Sequence, residues 1–168
     1  GNLGPFVSSL QGASGVSEVV QGTFPLVPEG TPGAAMFPDS VTFEIHATAD
    51  ARRLSWVSML ICTNDGFTGV DGLKLPVQVG QSVTTGTAGY DAGTEINTED
   101  FADIVPPCQG IIGVSSGEAG TGVSNPALSE GGVIHHHPGI QGGADLVPAV
   151  HGWDVDEAVA EITVERIA

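Results

Sequence analysis

Glycine and proline divide this chain into short segments, and this punctuation limits the folds that it can adopt. Of the 168 residues, 25 are glycine and 11 are proline. Both residue types are unfavourable inside helices, and helical periodicity is scarce in the segments between them. Short segments separated by turn residues are typical of antiparallel β structure. The sequence therefore predicts an all-β fold, an antiparallel sandwich in a single domain over residues 1–168.

Alternating apolar and polar residues predict individual strands. The segments SVTFEIHAT (40–48) and AVAEITVERIA (158–168) alternate with the period of a strand that has one buried face. The segment RLSWVSMLIC (53–62) is almost wholly apolar, which predicts a central strand covered on both sides. The remaining assignments are short strands at 110–116 and 131–139, a weak helix or a strand at 14–22, and a long loop at 117–132.

The charge of the chain is strongly negative. Four Lys and Arg residues face 20 Asp and Glu residues, for a net charge of −16. Such a chain is repelled by nucleic acid phosphates and by anionic lipid, so neither is an expected partner. No apolar run approaches the roughly 20 residues that a membrane span needs. Solubility explains most of the acidic residues, and the others need a more specific reason.

Acidic residues concentrate in GYDAGTEINTEDFAD (89–103), which contains five carboxylates and no Lys or Arg. Either these side chains lie in a solvated loop, or some of them converge on a cation. Asp91 and Glu95 are four positions apart across a turn that contains glycine, and Asp65 lies in CTNDGFTGVDG (62–72) after the predicted central strand. Oxygen ligands from two loops are typical of calcium sites. The sequence therefore permits a calcium site, with solvated loops as the alternative.

Histidine is the second candidate metal ligand. The segment VIHHHPG contains three consecutive histidines, of which His135 and His137 share one face of a strand. A third imidazole from His46 or His151 could complete a Zn²⁺ or Cu²⁺ site. The alternative is a polar strand end whose imidazoles bond to nearby backbone.

The two cysteines, Cys62 and Cys108, are too few for a cysteine-rich zinc site and form no C-x-x-C pair. They are either one disulfide of an exported protein or two buried thiols.

Motifs of catalysis are missing. The chain has no G-x-S-x-G elbow, no H-E-x-x-H and no phosphate-binding glycine loop. A carboxylate pair for glycoside hydrolysis leaves no short motif, so that reaction stays open. We expect a protein that is not an enzyme.

Several long segments together resemble the spondin N-terminal domain, the module of F-spondin and of short bacterial exported proteins. They are ARRLSWVSMLICTNDGFTGVDGLKLP, YDAGTEINTED, HPGIQGGADLVPAVHGW and AVAEITVERIA, in that order. The resemblance covers roughly Val27 to Ala168, and about the first 25 residues match weakly. It implies an eight-stranded antiparallel β-sandwich similar to C2 domains.

The resemblance also implies a site and a role. One Ca²⁺ ion is expected, with Asp65, Asp91 and Glu95 as ligands, whereas Glu99, Asp100 and Asp103 are expected to face solvent. A disulfide between Cys62 and Cys108 would tie the two ligand-bearing segments together and fits an exported protein. The expected function is a secreted, periplasmic or cell-surface calcium-binding module that adheres to an extracellular protein or glycan. The alternative is a Cu²⁺ or Zn²⁺ binding protein that uses the histidines.

Overall fold

The fold is β-rich with few helices. The computed structural model describes residues 3–22, 24–115 and 117–168. Within these ranges the strands are β1 (Arg53–Met59), β2 (Gly66–Lys74), β3 (Ser82–Thr87), β4 (Gly89–Asp91), β5 (His135–His136) and β6 (Ala160–Glu165). The helices are α1 (Gly4–Gln11), α2 (Pro107–Ile112) and α3 (Pro148–His151), and single 3-10 turns lie at Pro32–Ala35 and Pro126–Leu128.

The strands form two antiparallel sheets. One has four strands in the order β1-β2-β4-β5, and the other pairs β3 with β6. The β1–β2 ladder runs from Arg53 opposite Lys74 to Met59 opposite Phe67, with an irregularity between Leu54 and Trp56. The expectation of antiparallel β structure is confirmed. The described residues contain six strands rather than the expected eight, and a sandwich of these sheets is not confirmed.

Two predicted strands, β1 and β6, form, and they differ in how well their burial agrees with the apolar pattern of the sequence. In β6 the side chains of Ala160, Ile162 and Val164 are half-buried and the residues between them are exposed, as the alternation predicts. Strand β1 also forms, but it is not covered on both sides, because Val57 is 54% exposed and Met59 is 42% exposed. Strand β1 lies at the edge of its sheet and leaves apolar side chains in solvent.

Two other predicted strands are not among the assigned strands, and for one of them the reason is local. Residues 110–112 belong to helix α2. Proline at the first helical position starts this helix, and Gly113, at φ 72°, ends it in the left-handed conformation that glycine adopts easily. Residues 40–48 belong to no assigned strand, and the segment 14–22 is not helical. The N-terminal helix is instead α1 at Gly4–Gln11.

The main apolar core lies among the loops that flank the four-stranded sheet. Phe101, Ile104, Cys108, Ile140 and Leu146 are buried together there. The disulfide between Cys62 and Cys108 joins this core to the segment after β1, with the two Cα atoms 5.0 Å apart. The expected disulfide is therefore present. Because it closes a loop between distant segments, it holds the loop region against the sheet.

Among the described residues, the structure has no helix with the length and apolar character of a membrane-crossing segment.

Replacing both cysteines by alanine should destabilise the protein by about 4 kcal/mol, the value that chain entropy gives for such a loop. The two cysteines are 46 positions apart, so the unbridged unfolded chain gains considerable freedom. Urea unfolding of wild type and of Cys62→Ala/Cys108→Ala measures the difference, and reduction should add two hydrogen atoms to the mass of wild type alone. An unchanged mass together with an unchanged midpoint would contradict the bridge.

Candidate metal centre

Two of the predicted calcium ligands lie at neighbouring strand ends. Asp91 is the last residue of β4, and Asp65 directly precedes β2. Gly66 of β2 stands opposite Asp91 in the antiparallel ladder, so the two backbones are one strand spacing apart, about 4.8 Å. Asp91 is fully buried and Asp65 is half-buried. The β2–β4 ladder therefore brings the backbones of Asp65 and Asp91 to the same end of the sheet.

Asp65 binds the turn that follows β4. Its Oδ2 accepts hydrogen bonds from the backbone N–H of Thr94 (2.6 Å), from the Thr94 hydroxyl (2.6 Å) and from the backbone N–H of Glu95 (2.9 Å). Its Oδ1 is buried and has no hydrogen-bond partner among the described residues. An unpaired buried oxygen of a carboxylate is costly, because this atom has lost its hydration without a replacement. One oxygen of Asp65 therefore organises the loop, and the other is available to a ligand.

Asp91 organises the same turn from within. Its Oδ1 accepts the N–H of Gly93 at 2.7 Å, and its Oδ2 accepts the side-chain amide of Asn97 at 2.5 Å. Gly93 has φ 69° and lies so close to Val133 that an added Cβ would be 2.7 Å from the Val133 backbone. The turn needs glycine there for both reasons. Carboxylate oxygens have further lone pairs, so these bonds are compatible with a bound cation.

Glu95 does not complete a ready-made cluster. Its backbone forms an isolated bridge to Ser129, its side chain is half-buried, and its carboxylate makes no hydrogen bond or ion pair to any other described residue. Within the described ranges no three His, Cys, Asp or Glu side chains are grouped in a way that could hold a metal ion. Asp65 and Asp91 are thus close in the backbone ladder, Glu95 is not grouped with them into a three-ligand site among the described residues, and the predicted calcium site stays a prediction.

Basic side chains do not neutralise these carboxylates. The guanidinium groups of Arg52, Arg53 and Arg166 donate to backbone carbonyls elsewhere. The nearest ionisable partner is His135, opposite Asp91 in the ladder, with Nε2 3.9 Å from Asp91 Oδ2. The hydrogen bond to the Val133 carbonyl raises the pKa of His135 above its ordinary value, and the negative charge of Asp91 adds to this effect. The pair of carboxylates therefore has only a titratable imidazole beside it.

The four histidines of the second predicted site do not assemble. His46 contacts Glu18 in the N-terminal region, and His151 accepts the Val147 N–H within the segment of α3. His135 is the first residue of the short strand β5 and His137 directly follows it, but these two are not grouped with a third metal-binding side chain in the described residues. A transition-metal site of four imidazoles is not formed.

His137 is a structural residue in this arrangement. It is 2% exposed, its Nδ1 accepts the Gly139 N–H at 3.1 Å, and its ring lies 5.1 Å from that of Trp153. A neutral imidazole whose Nδ1 accepts carries its proton on Nε2, so Nε2 has no lone pair for a metal. Burial lowers the pKa of His137, against the opposing effect of the Asp91 and Asp65 charges.

Glu99 is the residue that the sequence interpretation placed wrongly. It is 6% exposed rather than solvated. Its Oε1 accepts the N–H of Gln141 at 2.5 Å, and its Oε2 accepts the N–H groups of Gly142 and Gly143, both at 2.6 Å. Its φ of 58° is unusual for a residue other than glycine. The paired glycines at 142–143 are the only signal in the sequence, and they do not identify a partner more than 40 positions away.

Comparisons with protein-family models, with curated proteins and with solved structures found no significant match. The resemblance to the spondin N-terminal domain therefore stays a prediction from the quoted segments.

Replacing Glu99 by glutamine should destabilise the protein by about 1–3 kcal/mol, because a buried hydrogen bond to a charged acceptor is lost. The amide nitrogen of glutamine cannot accept, so at least one of the three loop N–H groups loses its partner. Urea unfolding measures the change. The matched control is Glu118→Gln, which removes the same charge from an exposed position and should change little. Equal stability of the two variants would contradict a structural role for Glu99.

The stability of the protein should depend on the protonation of His137. Because burial lowers its pKa in the folded state, the unfolded chain takes up a proton first as the pH falls through about 6.5, and the free energy of unfolding decreases. His137→Phe keeps an aromatic ring beside Trp153 and should show a smaller decrease between about pH 7.5 and pH 5. His135, whose pKa is raised, acts in the opposite direction but is present in both proteins. Identical pH dependence in both would contradict the prediction.

Proposed function

We propose that this protein is an exported, non-enzymatic calcium-binding β module of the spondin N-terminal type. The observation that supports it most is the buried, unpaired Oδ1 of Asp65 beside the fully buried Asp91, with no Lys or Arg at either carboxylate. A divalent cation would supply the missing partner for that oxygen. It would also offset the repulsion between two carboxylates held at neighbouring strand ends.

Calcium suits this position better than other metals. It takes roughly 6–8 oxygen ligands in flexible geometry and accepts a mixture of carboxylates, backbone carbonyls and water. Asp65 and Asp91 would be the fixed ligands, since hydrogen bonds to the 93–97 turn already orient them. Glu95, in the same turn, would swing in as the third carboxylate. The remaining ligands would be backbone carbonyls and water.

The N-terminal region offers two segments for the strands that would complete an eight-stranded sandwich. The N–H of Val27 donates to the Pro38 carbonyl at 2.9 Å, Gly22 lies against the Phe43 ring, and Glu18 accepts the N–H of His46. The pairs Glu18–His46, Gly22–Phe43 and Val27–Pro38 follow an antiparallel order, which supports a pairing of these two segments. Their pairing into a hairpin would bring the strand number from six to eight.

The proposed location and role are supported by the disulfide and by the resemblance to the spondin N-terminal domain. A disulfide persists in oxidising compartments, which supports export. The partner would be an extracellular protein or glycan at a cell surface or in a matrix. The runner-up is a Cu²⁺ or Zn²⁺ site at His135, whose Nδ1 lies 3.0 Å from the Val133 carbonyl and whose Nε2 faces Asp91.

Calcium should raise the melting temperature of the wild type by about 3–10 °C at about 10 mM, the shift expected for a site with a dissociation constant of about 0.1–1 mM. Asp65→Asn should abolish the shift. The asparagine oxygen can still accept the N–H groups of Thr94 and Glu95, while its NH₂ group takes the position of the unpaired oxygen. The apo form of this variant should therefore stay folded.

The control is Asp156→Asn, which removes one charge from an exposed site and should leave the shift intact. A melting curve in magnesium at the same ionic strength separates specific calcium binding from general charge screening. Comparing Zn²⁺ binding by the wild type and by His135→Ala tests the runner-up. If Asp65→Asn and Asp156→Asn respond to calcium alike, the proposed site is refuted.

A further inference from the structure

A cleft lies on the C-terminal side of β5, away from the two metal-site carboxylates. It is an open surface depression with a volume of about 500 Å³. Two chain segments, 138–141 and 148–157, supply its walls. The lining includes Pro138, Ile140, Pro148, Trp153, Asp154 and Glu157.

The aromatic wall of this cleft is fixed before any ligand arrives. The Trp153 ring packs on His137 with the centroids 5.1 Å apart. Gly139, at φ 78°, passes so close to the Trp153 backbone that an added Cβ would collide with its carbonyl oxygen. The buried Glu99 carboxylate holds the N–H of Gln141, the residue that lines the facing wall. A rigid aromatic surface loses little entropy on binding, which favours a genuine recognition surface.

The rim of the cleft is negative. Asp154 and Glu157 are both exposed and form one turn, in which the Glu157 N–H donates to the Asp154 carbonyl and the Asp154 N–H donates to a Glu157 carboxylate oxygen. No Lys, Arg or His is among the residues that line the cleft. The rest of the molecule reinforces this field, since the net charge is −16. A cationic occupant is therefore favoured and an anionic one is repelled.

We propose that this cleft binds an arginine side chain of a basic, extended segment of a partner protein. The guanidinium plane would stack on Trp153, with the Asp154 and Glu157 carboxylates as its counter-charges. Arginine fits this chemistry better than lysine because its planar group stacks on aromatic rings and bonds to carboxylates with two N–H groups. Pro138 and Pro148 provide apolar contact for the neighbouring backbone of the partner. The proposal does not depend on the calcium site.

The test is a fluorescence anisotropy titration of a labelled peptide, Gly-Gly-Arg-Gly-Arg-Gly-Gly, at about 150 mM salt, where the Debye length is about 8 Å. The comparison peptide has both arginines replaced by citrulline, which keeps the shape and removes the charge. All titrations contain EGTA, so that failure of the calcium site leaves the result intact. We expect the arginine peptide to bind at least about tenfold more tightly than the citrulline peptide.

Three variants locate the binding. Trp153→Leu and Asp154→Asn/Glu157→Gln should each weaken binding by about tenfold. The matched control Glu44→Gln/Asp50→Asn removes the same two charges from exposed positions outside the cleft and should bind as wild type does. The rim variants change only exposed side chains, so they test the site even if Trp153→Leu fails to fold. Equal weakening by the rim and control pairs, equal binding of both peptides, or no binding to wild type would overturn the proposal.

Discussion

Carboxylates that accept backbone N–H groups hold the irregular part of this protein in place, from the fully buried Asp91 to the exposed Asp145. Asp65 and Asp91 bind the turn at 93–97, and Glu99 binds the loop at 141–143. Asp145 does the same for the Phe101 N–H at 3.0 Å. With short strands and long connections, the backbone cannot satisfy its own donors through ladders alone, and charged acceptors form about twice as strong a bond as neutral ones. The acidic excess of the chain thus has a structural component besides solubility.

These carboxylates differ in how completely their oxygens are hydrogen-bonded, and this difference separates Glu99 from Asp65. Glu99 is almost fully buried, yet three N–H groups satisfy its two oxygens. Asp65 has three donors on one oxygen and none on the other, and its neighbour Asp91 is fully buried. Hydrogen-bond donors are therefore distributed evenly at the first site and unevenly at the second. The unpaired Oδ1 of Asp65 is the atom to which the proposed cation would bind.

Short sequence patterns predicted the features that depend on neighbouring residues alone. The alternation in β6 and the existence of β1 follow from side-chain periodicity, and the position of Asp65 after β1 follows from the order of segments. The errors arise where distant contacts or single turn residues decide. Helix α2 replaces a strand because proline precedes the apolar run and Gly113 ends it. The burial of Glu99 was not predicted because its hydrogen-bond partners are 42–44 positions away, and no short sequence pattern encodes such a contact.

His137 connects the proposed metal end of the sheet with the proposed arginine cleft. Its N–H donates to the Gly89 carbonyl of β4 at 3.0 Å, two residues before Asp91, and its ring packs on Trp153. The proposed ion would bind at the end of β4. His137 and Trp153 both contact Gly89 of the same strand. Gly89 is part of this contact, because an added Cβ would lie 2.8 Å from the Trp153 indole nitrogen. A side chain at position 89 would displace the Trp153 indole, so the end of β4 and one lining residue of the cleft are in direct contact.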